Sequence, residues 1–583
     1  MKRYIFTCLA FFLLITESCE SELELNNPNF ITSDGFFSDL NASESVLTSV
    51  YAAMLNEFVI GVEYETLRTD LAYPGARGNI FGLYTEWHQQ NVTENTGRLS
   101  RLWDAKYRVI WRANQVIEGL NSMSDDLKAN DRWTEQMGQA RLFRGLMHFY
   151  LHAVFNEGKI IIFDNVPKTE ADFSKAVSSS DEVKAFFRAD LEYAYQNLPA
   201  QFEQKSRVDA GFAATILGTS YLYDSDYDTA ITFFRDVINN ENGDYGYSLE
   251  QDLTKLFTNE SDFNSESIFE INYADQFQLE DGSFDEDSFF NRLARFSGPP
   301  GRNLVARRPF GGQGVLLPSA WLTYEYSNEP MDTQDSRNYV DNDVTGNLKN
   351  ISLRAAQSIA VVNDESSNYY GSTAPQVYAF ARTRFSHYKK YTNHDIVVSE
   401  FDVAGTGFKS GRNVVVNRLS GVYLMYAECL VKTGNVADAL VYVNDIRKRW
   451  GLQLLGVSDG STHDFDGITY DETSLMDHLM YKEYPMELSF EGHANRFINL
   501  RRWGVAAQRY SDLSSETFSL TNYRYMRPNG SLANRRNSLL VKGNSGTSPF
   551  TEYTEAAAAW ASGNAAYYPL PLSEVLYNPN VSN

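Results

Sequence analysis

Cysteine is almost missing from this chain: 583 residues hold 3, at Cys8, Cys19 and Cys429. The first two fall in the N-terminal leader discussed below, which leaves Cys429 alone. A single thiol makes no intramolecular disulfide and no thiolate metal cluster. Cys429 sits on an apolar helix face, where a lone cysteine usually packs as a small core residue. Basic residues are also scarce, 51 Lys and Arg against 75 Asp and Glu, for a formal net charge of -24. No basic stripe interrupts that surplus, which argues against nucleic acid and against an anionic membrane surface as partners. Past the leader there is no second long apolar run, so nothing reads as a membrane-spanning helix. Neither a Walker loop nor an H-E-x-x-H motif occurs. Aromatic side chains are plentiful instead: 36 Tyr, 37 Phe and 8 Trp, 14% of the chain. Part of that content suits a helical core, and exposed Tyr and Trp also suit stacking on sugar rings.

Residues 1–18 read as a targeting segment. Lys2 and Arg3 make a basic start, and Ile5 to Ile15 is an apolar stretch too short for a stable bilayer anchor. Thr16-Glu-Ser-Cys19 then forms a relaxed lipobox, with the small Ser18 before the cysteine and Thr16 and Glu17 as poorer matches. Cleavage there makes acylated Cys19 the first residue; several acyl chains anchor firmly where one holds only marginally. Residues 19–30 follow as a tether, acidic at Glu20, Glu22 and Glu24.

The rest reads as mostly α-helical. A helix opens near Ala42, with Asn41 as a plausible N-cap. Helical spacing recurs over 102–120, 133–155, 181–197, 207–223 and 228–239. From Asn417 a helical hairpin follows: Val422, Met425, Tyr426, Cys429 and Leu430 share a face, Gly434 stops the first helix, and Gly451 ends the second. This gives about four helix pairs of tetratricopeptide type, stacked because one pair alone cannot bury its apolar face. Residues 61–97 read as surface loops. Residues 241–416, rich in Asn, Asp, Ser and Gly with short strand-like runs such as SIFEINY (267–273), read as a long irregular insertion. Residues 505–565 read as irregular again.

Several stretches carry more than periodicity. RLSGVYLMYAE (418–428), NDIRKRWGL (444–452), ELSFEGH (487–493) and LRRWG (500–504), in this order and spacing, resemble the C-terminal half of SusD-like (RagB/SusD) proteins. RANQVIEGL (112–120), ARLFRGLMHFY (140–150) and the terminal YPLPLSEVLYNPN (568–580) resemble the same family, although Gln139 stands where the family has Glu. The resemblance runs from about residue 20 to 580. It divides the chain into the signal 1–18, the tether 19–30, an N-terminal region 31–240, the insertion 241–416 and a C-terminal region 417–583.

The resemblance implies a lipid-anchored protein on the outside of the outer membrane. It implies capture of an oligosaccharide or polysaccharide and its delivery to a SusC-like TonB-dependent transporter, with the repeat face docking that transporter. It implies no catalysis. It also implies a glycan face built from loops after the first helix and from the insertion. Here that picks out Trp87 and Trp321 as stacking platforms, with Asp70, Tyr73 and Arg77 as polar contacts. Asp39 and Asn41, near the first helix start, reach the same face or merely cap that helix. Arg382 and Arg384 are further candidates. Trp103, Trp111, Trp133 and Trp450 lie in amphipathic helices and read as scaffold. A peptide cargo, or a lid without glycan binding of its own, stays open.

Other chemistry has weaker support. A glycosidase needs two carboxylates across the scissile bond. Glu483, Glu487 and Glu491 share a helix face at i, i+4 and i+8, with Arg496, Arg501 and Arg502 following, and read as an ion-pair network. His148 and His152 are spaced to share a metal, but their helix is apolar and no third ligand is evident. Asp341-Asn-Asp343-Val-Thr-Gly346 starts like a calcium loop, yet its twelfth position is Ser352; Asp464-Phe-Asp466-Gly467 is a poorer match. A structural calcium ion is the only cofactor the sequence leaves open.

Overall fold

The computed structural model describes residues 37–80, 82–275, 291–403, 410–527, 529–563 and 565–581. The expected signal, lipobox with Cys19, and tether therefore lie outside the described residues. Eight long helices form the frame: α1 (Leu40–Met54), α2 (Leu99–Ser122), α3 (Asp131–Val154), α4 (Ser180–Asn197), α5 (Ala210–Tyr223), α6 (Tyr227–Asn239), α7 (Leu419–Lys432) and α8 (Val436–Arg449). Each packs on the next, α1 on α2 through to α7 on α8, so the stack runs unbroken although 240–418 intervene between α6 and α7. The expected mostly α architecture is what the structure shows. Close approach within the stack needs small residues. At Gly145 of α3 an added Cβ would lie 3.0 Å from the Phe187 carbonyl oxygen of α4, tight enough that the two helices would have to part slightly.

Local signals set the helix ends. Asp39, not Asn41, caps α1: its carboxylate accepts from the Asn41 and Ala42 amides at 2.7 and 3.0 Å. Ser179 and Glu182 form a reciprocal capping box at the start of α4. Gly434, at φ 85°, closes α7 in the left-handed conformation that favours glycine.

The central excursion is tied at its root. Strand β3 (Ser267–Ile271) pairs antiparallel with β7 (Val414–Arg418), Ile271 opposite Val414, so the chain leaves and re-enters the stack at one place. Two expectations need correction here. Residues 61–97 are surface loop only in part: 89–97 is the irregular, largely exposed loop expected. After the short helix Glu57–Ile60, however, the chain forms the helix Val62–Leu67 and strand β1 (Ala72–Ala76), and 58–72 are buried. Their polar residues disguised this, because burial is made tolerable by distant partners: Glu57 pairs with Arg292, and Asp70 with Arg496 and Arg509. Residues 505–565 are not irregular. They hold a helix (Ala506–Ser515) and a hairpin of β8 (Phe518–Met526) and β9 (Leu532–Lys542). A register shift between Thr521 and Tyr523 and a largely exposed, polar β9 obscure the alternation that marks a strand.

Glu483, Glu487 and Glu491 do form a buried ionic network, but not on one helix face. The short helix Tyr484–Glu487 ends at once, and Phe490 and Gly492 take φ of 64° and 72°, so Glu491 joins the network from a turn. Glu487 accepts from Arg418 (2.8 Å), Arg354 (3.2 Å), Arg449 and the Trp450 indole (2.8 Å). Glu483 pairs with Arg354 (2.5 Å) and Arg447 (2.7 Å), and Glu491 with Arg418 (2.6 Å) and Lys390 (2.5 Å). Glu266, just before β3, holds Arg418 and Arg449 from the other side. Burial opposes the charge on Glu483 and Glu487, yet the surrounding arginines hold both carboxyls well below the usual range. The network joins α7, α8 and the excursion in one cluster.

Removing one partner of such a cluster strands the others. Glu487→Ala is expected to cost about 3–5 kcal/mol in urea unfolding, whereas Asp181→Ala, at the exposed Lys184 pair, should change stability by at most about 0.5 kcal/mol. Asp70 gives a pH signature. Burial alone would raise its pKa, but Arg496 and Arg509 outweigh that and hold it at about 2, below the usual 3.8. A depressed folded-state value stabilises above the unfolded value and is lost as the pH falls through the folded one. The stability difference between the wild type and Asp70→Asn should therefore shrink by about 2 kcal/mol as the pH is lowered from about 4 to about 2, read by chemical unfolding.

Candidate functional site

The segments singled out in the sequence converge. Strand β1 pairs antiparallel with β4 (Leu316–Pro318), Tyr73 opposite Leu317, which sets residues 70–77 beside Trp321. On its other edge β1 pairs with β2 (Asn79–Ile80) through a tight turn at Arg77-Gly78, where Gly78 takes φ 85°. The Arg77 amide donates to the Thr383 carbonyl at 3.1 Å. Thr383 and Arg382 form the tip of a second tight turn, closed by reciprocal Ala381–Arg384 backbone bonds at 3.2 and 3.0 Å. Tyr73, Arg77, Arg382 and Arg384 thus meet at one edge of the molecule.

Most of the predicted ligand contacts, however, face inward. Trp87 is 0% exposed, wedged between Tyr64 and Tyr568 with ring centroids at 5.0 and 5.4 Å. Trp321 is 4% exposed: its indole donates to the Asp70 carbonyl and the Arg509 guanidinium covers its face at 4.1 Å. Neither ring offers a face for sugar, so the stacking expectation is corrected for both. They are covered by α9 (Asn495–Arg502), α10 (Ala506–Ser515) and the C-terminal segment, which the sequence places hundreds of residues away. Asp70 is fully buried and spends both oxygens on Arg496 (2.8 Å each) and Arg509 (2.8 Å); it is a clamp rather than a ligand contact. Arg77 does not pair with Asp70. Its Nε donates to Glu552 at 2.7 Å, its Nη2 to the Pro318 carbonyl at 2.7 Å, and its guanidinium stacks 3.8 Å from the Phe385 centroid. Its Nη1 is buried without a hydrogen-bond partner.

Tyr73 is half-buried, its ring against His88 at 4.9 Å. Burial and the neighbouring Arg77 push the His88 pKa down to about 3, so that ring is neutral. Arg382 is exposed, beside exposed Asn79 and Thr383, and Arg384 is half-buried with its Nε lacking a partner. Asp39 and Asn41 do not join it: Asp39 caps α1, and Asn41 accepts from Arg132 of α3 at 2.9 Å.

The remaining candidates are held locally, although the His148 Nε2 is buried without a hydrogen-bond partner. His148 is buried with Nδ1 on the Arg144 carbonyl, and His152 bonds Ser180. Asp343 accepts from its own Thr345 amide and hydroxyl, and Asp464 from Thr333. Among the described residues no three His, Cys, Asp or Glu side chains are grouped as a metal requires. Burial pushes the Cys429 thiol far up, away from the nucleophilic thiolate. The single G-x-S-x-G of the chain, Gly456 to Gly460, lies in an irregular loop rather than at a strand-to-helix elbow.

One aromatic was misread in the other direction. Trp111 of α2, taken as scaffold, is 44% exposed, more than any other described tryptophan. The signal was present: Trp103, Tyr107 and Trp111 recur every four residues along one helix row, but a row of rings does not say where the cover stops.

The N-terminal part, residues 30–222, matches a model described as "Starch-binding associating with outer membrane". SusD-like protein P2 of Formosa agariphila is 26% identical over 515 residues, 86% of this chain and 91% of that protein. A SusD homolog from Bacteroides thetaiotaomicron has the same fold, with a TM-score of 0.69 at 18% identity, over 94% of this chain and 97% of its own. A SusD-like carbohydrate-binding protein from Bacteroides fragilis superposes with a TM-score of 0.65 at 18% identity, over 94% and 99%. The model of the SusD family itself matches residues 219–583, well over half of the chain, and the chain belongs to that family.

Proposed function

We propose that this protein captures oligosaccharides at the outer face of the outer membrane and passes them to a SusC-like TonB-dependent transporter. The observation that carries the reading is the convergence of three distant segments, 70–79, 316–321 and 381–384, on one edge of a SusD-family fold. There the buried Trp87, Trp321 and Asp70 act as support. Above them Tyr73 presents part of a ring and the exposed Arg382 presents guanidinium donors that match vicinal hydroxyls, with the largely buried Arg77 side chain bracing the turn beneath. Such a shallow polar edge gives modest affinity, which suits a protein that must release its cargo. It binds rather than cleaves: Glu483, Glu487 and Glu491 are spent on arginines inside the fold. Related proteins carry carbohydrate-binding and outer-membrane descriptions, which supports the ligand class and the location. No single described helix is long and apolar enough to cross a membrane, and the proposed attachment is the acylated Cys19 of the lipobox.

The reading is tested by calorimetry of residues 20–583 against a polysaccharide panel. Arg382→Ala should weaken binding by about tenfold, the worth of one charged hydrogen bond, with an unchanged melting temperature. Trp87→Ala should instead cost about 3–5 kcal/mol of stability, as a core aromatic does. Full binding in Arg382→Ala would remove this edge from the reading, and silence of the wild type across the panel would point to a peptide cargo. In cells, Cys19→Ala should move the protein from the membrane pellet to the soluble fraction; a pelleted variant would exclude the lipid anchor.

A further inference from the structure

A roomy cavity lies away from that edge. It measures about 570 Å³, within the range of roughly 300–1,000 Å³ usual for small-molecule sites. One wall is α2, which presents Trp103, Tyr107 and Trp111 at i, i+4 and i+8. The second is the segment carrying Phe163 and Phe173, and the third is the C-terminal helix Leu572–Tyr577.

The floor is braced. The Trp103 indole donates to Glu574 at 3.2 Å, and Asn578 donates to the other Glu574 oxygen at 2.9 Å. Tyr107 exchanges two bonds with the Ile161 backbone, at 2.8 and 3.1 Å. Asn114 holds the Phe163 and Asn165 carbonyls at 2.9 and 3.2 Å. The walls are therefore set before anything enters. At the mouth, three aromatics stay in water: Trp111 at 44%, Phe173 at 48% and Tyr577 at 85% exposure. Trp111 and Phe173 stand nearly perpendicular, 85° apart with centroids at 6.2 Å.

We propose that this groove is a second saccharide-binding site, taking one or two residues of a neutral glycan. A pyranose has an apolar C–H face and a polar edge of hydroxyls. The corner between Trp111 and Phe173 offers stacking faces for the first. Polar side chains around the lining, Asn165 among them, face the second. A lipid chain fits badly, because its tail would take the Asp104 and Glu574 carboxylates of the lining further out of water. An anionic sugar is opposed by Asp104 and Glu574 and by a net charge of -24. A protein partner would meet a cleft rather than a flat patch. Large aromatics left in water beside a pre-formed cavity are what a ligand then covers. The class of ligand rests on the glycan-binding reading above, whereas the place rests on the groove alone.

The test is calorimetry of residues 20–583 with maltohexaose, laminarihexaose, cellohexaose, xylohexaose and mannohexaose. Trp111→Ala, Phe173→Ala, Trp111→Phe and Arg382→Ala are compared, with melting temperatures to confirm folding. Both truncations lie at the surface and should fold. The inference expects a bound hexaose to occupy two sites. Trp111→Ala and Phe173→Ala should each weaken one of them by about tenfold, Trp111→Phe should keep most of it, and Arg382→Ala should spare it. One site that is indifferent to Trp111→Ala and Phe173→Ala but lost in Arg382→Ala overturns the groove and keeps the function. One site lost in Trp111→Ala and kept in Arg382→Ala upholds the groove and removes the other edge. No binding of any hexaose overturns both.

Discussion

The structure hangs on a cluster of buried charges around Glu487. Taking one ion out of water costs several kcal/mol unless partners replace the lost hydration. Glu487 meets this with Arg354, Arg418, Arg449 and the Trp450 indole, and each arginine in turn reaches a second carboxylate. The members come from the excursion, from the start of α7, from the end of α8 and from the 483–491 turn. None is satisfied until all four segments are in place. That requirement, rather than any single bond, is what docks a long looped-out excursion between α6 and α7 without opening the helical stack. Such a cluster adds little net stability over an apolar core of equal volume; its contribution is to make misdocked arrangements expensive.

A second cluster does the same for the edge that carries the proposed ligand contacts. Asp70 binds Arg496 and Arg509, and the Arg68 guanidinium lies between the Phe497 and Tyr568 rings at 3.8 and 3.6 Å. The N-terminal segment is thereby clamped to α9, α10 and the C-terminal signature. Trp321 and Trp87 fill the space beneath. A turn such as 381–384 gains a fixed position only because the strands under it are fixed, so the buried tryptophans hold the edge in place from beneath.

Much of the fold was legible because helical period survives without context. The rows Val422–Met425–Cys429 and Trp103–Tyr107–Trp111 show their faces directly, helical spacing placed α4 at 181–197, and the Gly434 stop bounded α7. The buried part of 61–97 was not legible. A stretch holding Glu57, Glu63, Glu65 and Asp70 looks solvated, and its burial depends on arginines more than two hundred residues downstream. The β8–β9 hairpin was hidden by the opposite circumstance, since an exposed, bulged ribbon does not alternate. The site suffered from the same limit. Sequence can name a tryptophan outside an amphipathic helix, but exposure is decided by what folds over it. Trp87 and Trp321 acquired covers from the C-terminal region, and Trp111 lay one helical turn beyond the reach of its own.

The same residue type therefore divides into two physical roles along a gradient of cover. Along α2, Trp103 is sealed and bonded to Glu574, Tyr107 is half-covered and bonded to Ile161, and Trp111 stands open. A helix that ends its aromatic row in water retains the stiffness of the buried rings for the exposed one. Stacking on a rigid ring costs little ordering entropy, and a sugar, with few strong contacts to offer, gains most from a partner that is already in place. A helical stack is thus more than a frame for recognition loops: where its cover stops, it becomes a binding surface itself.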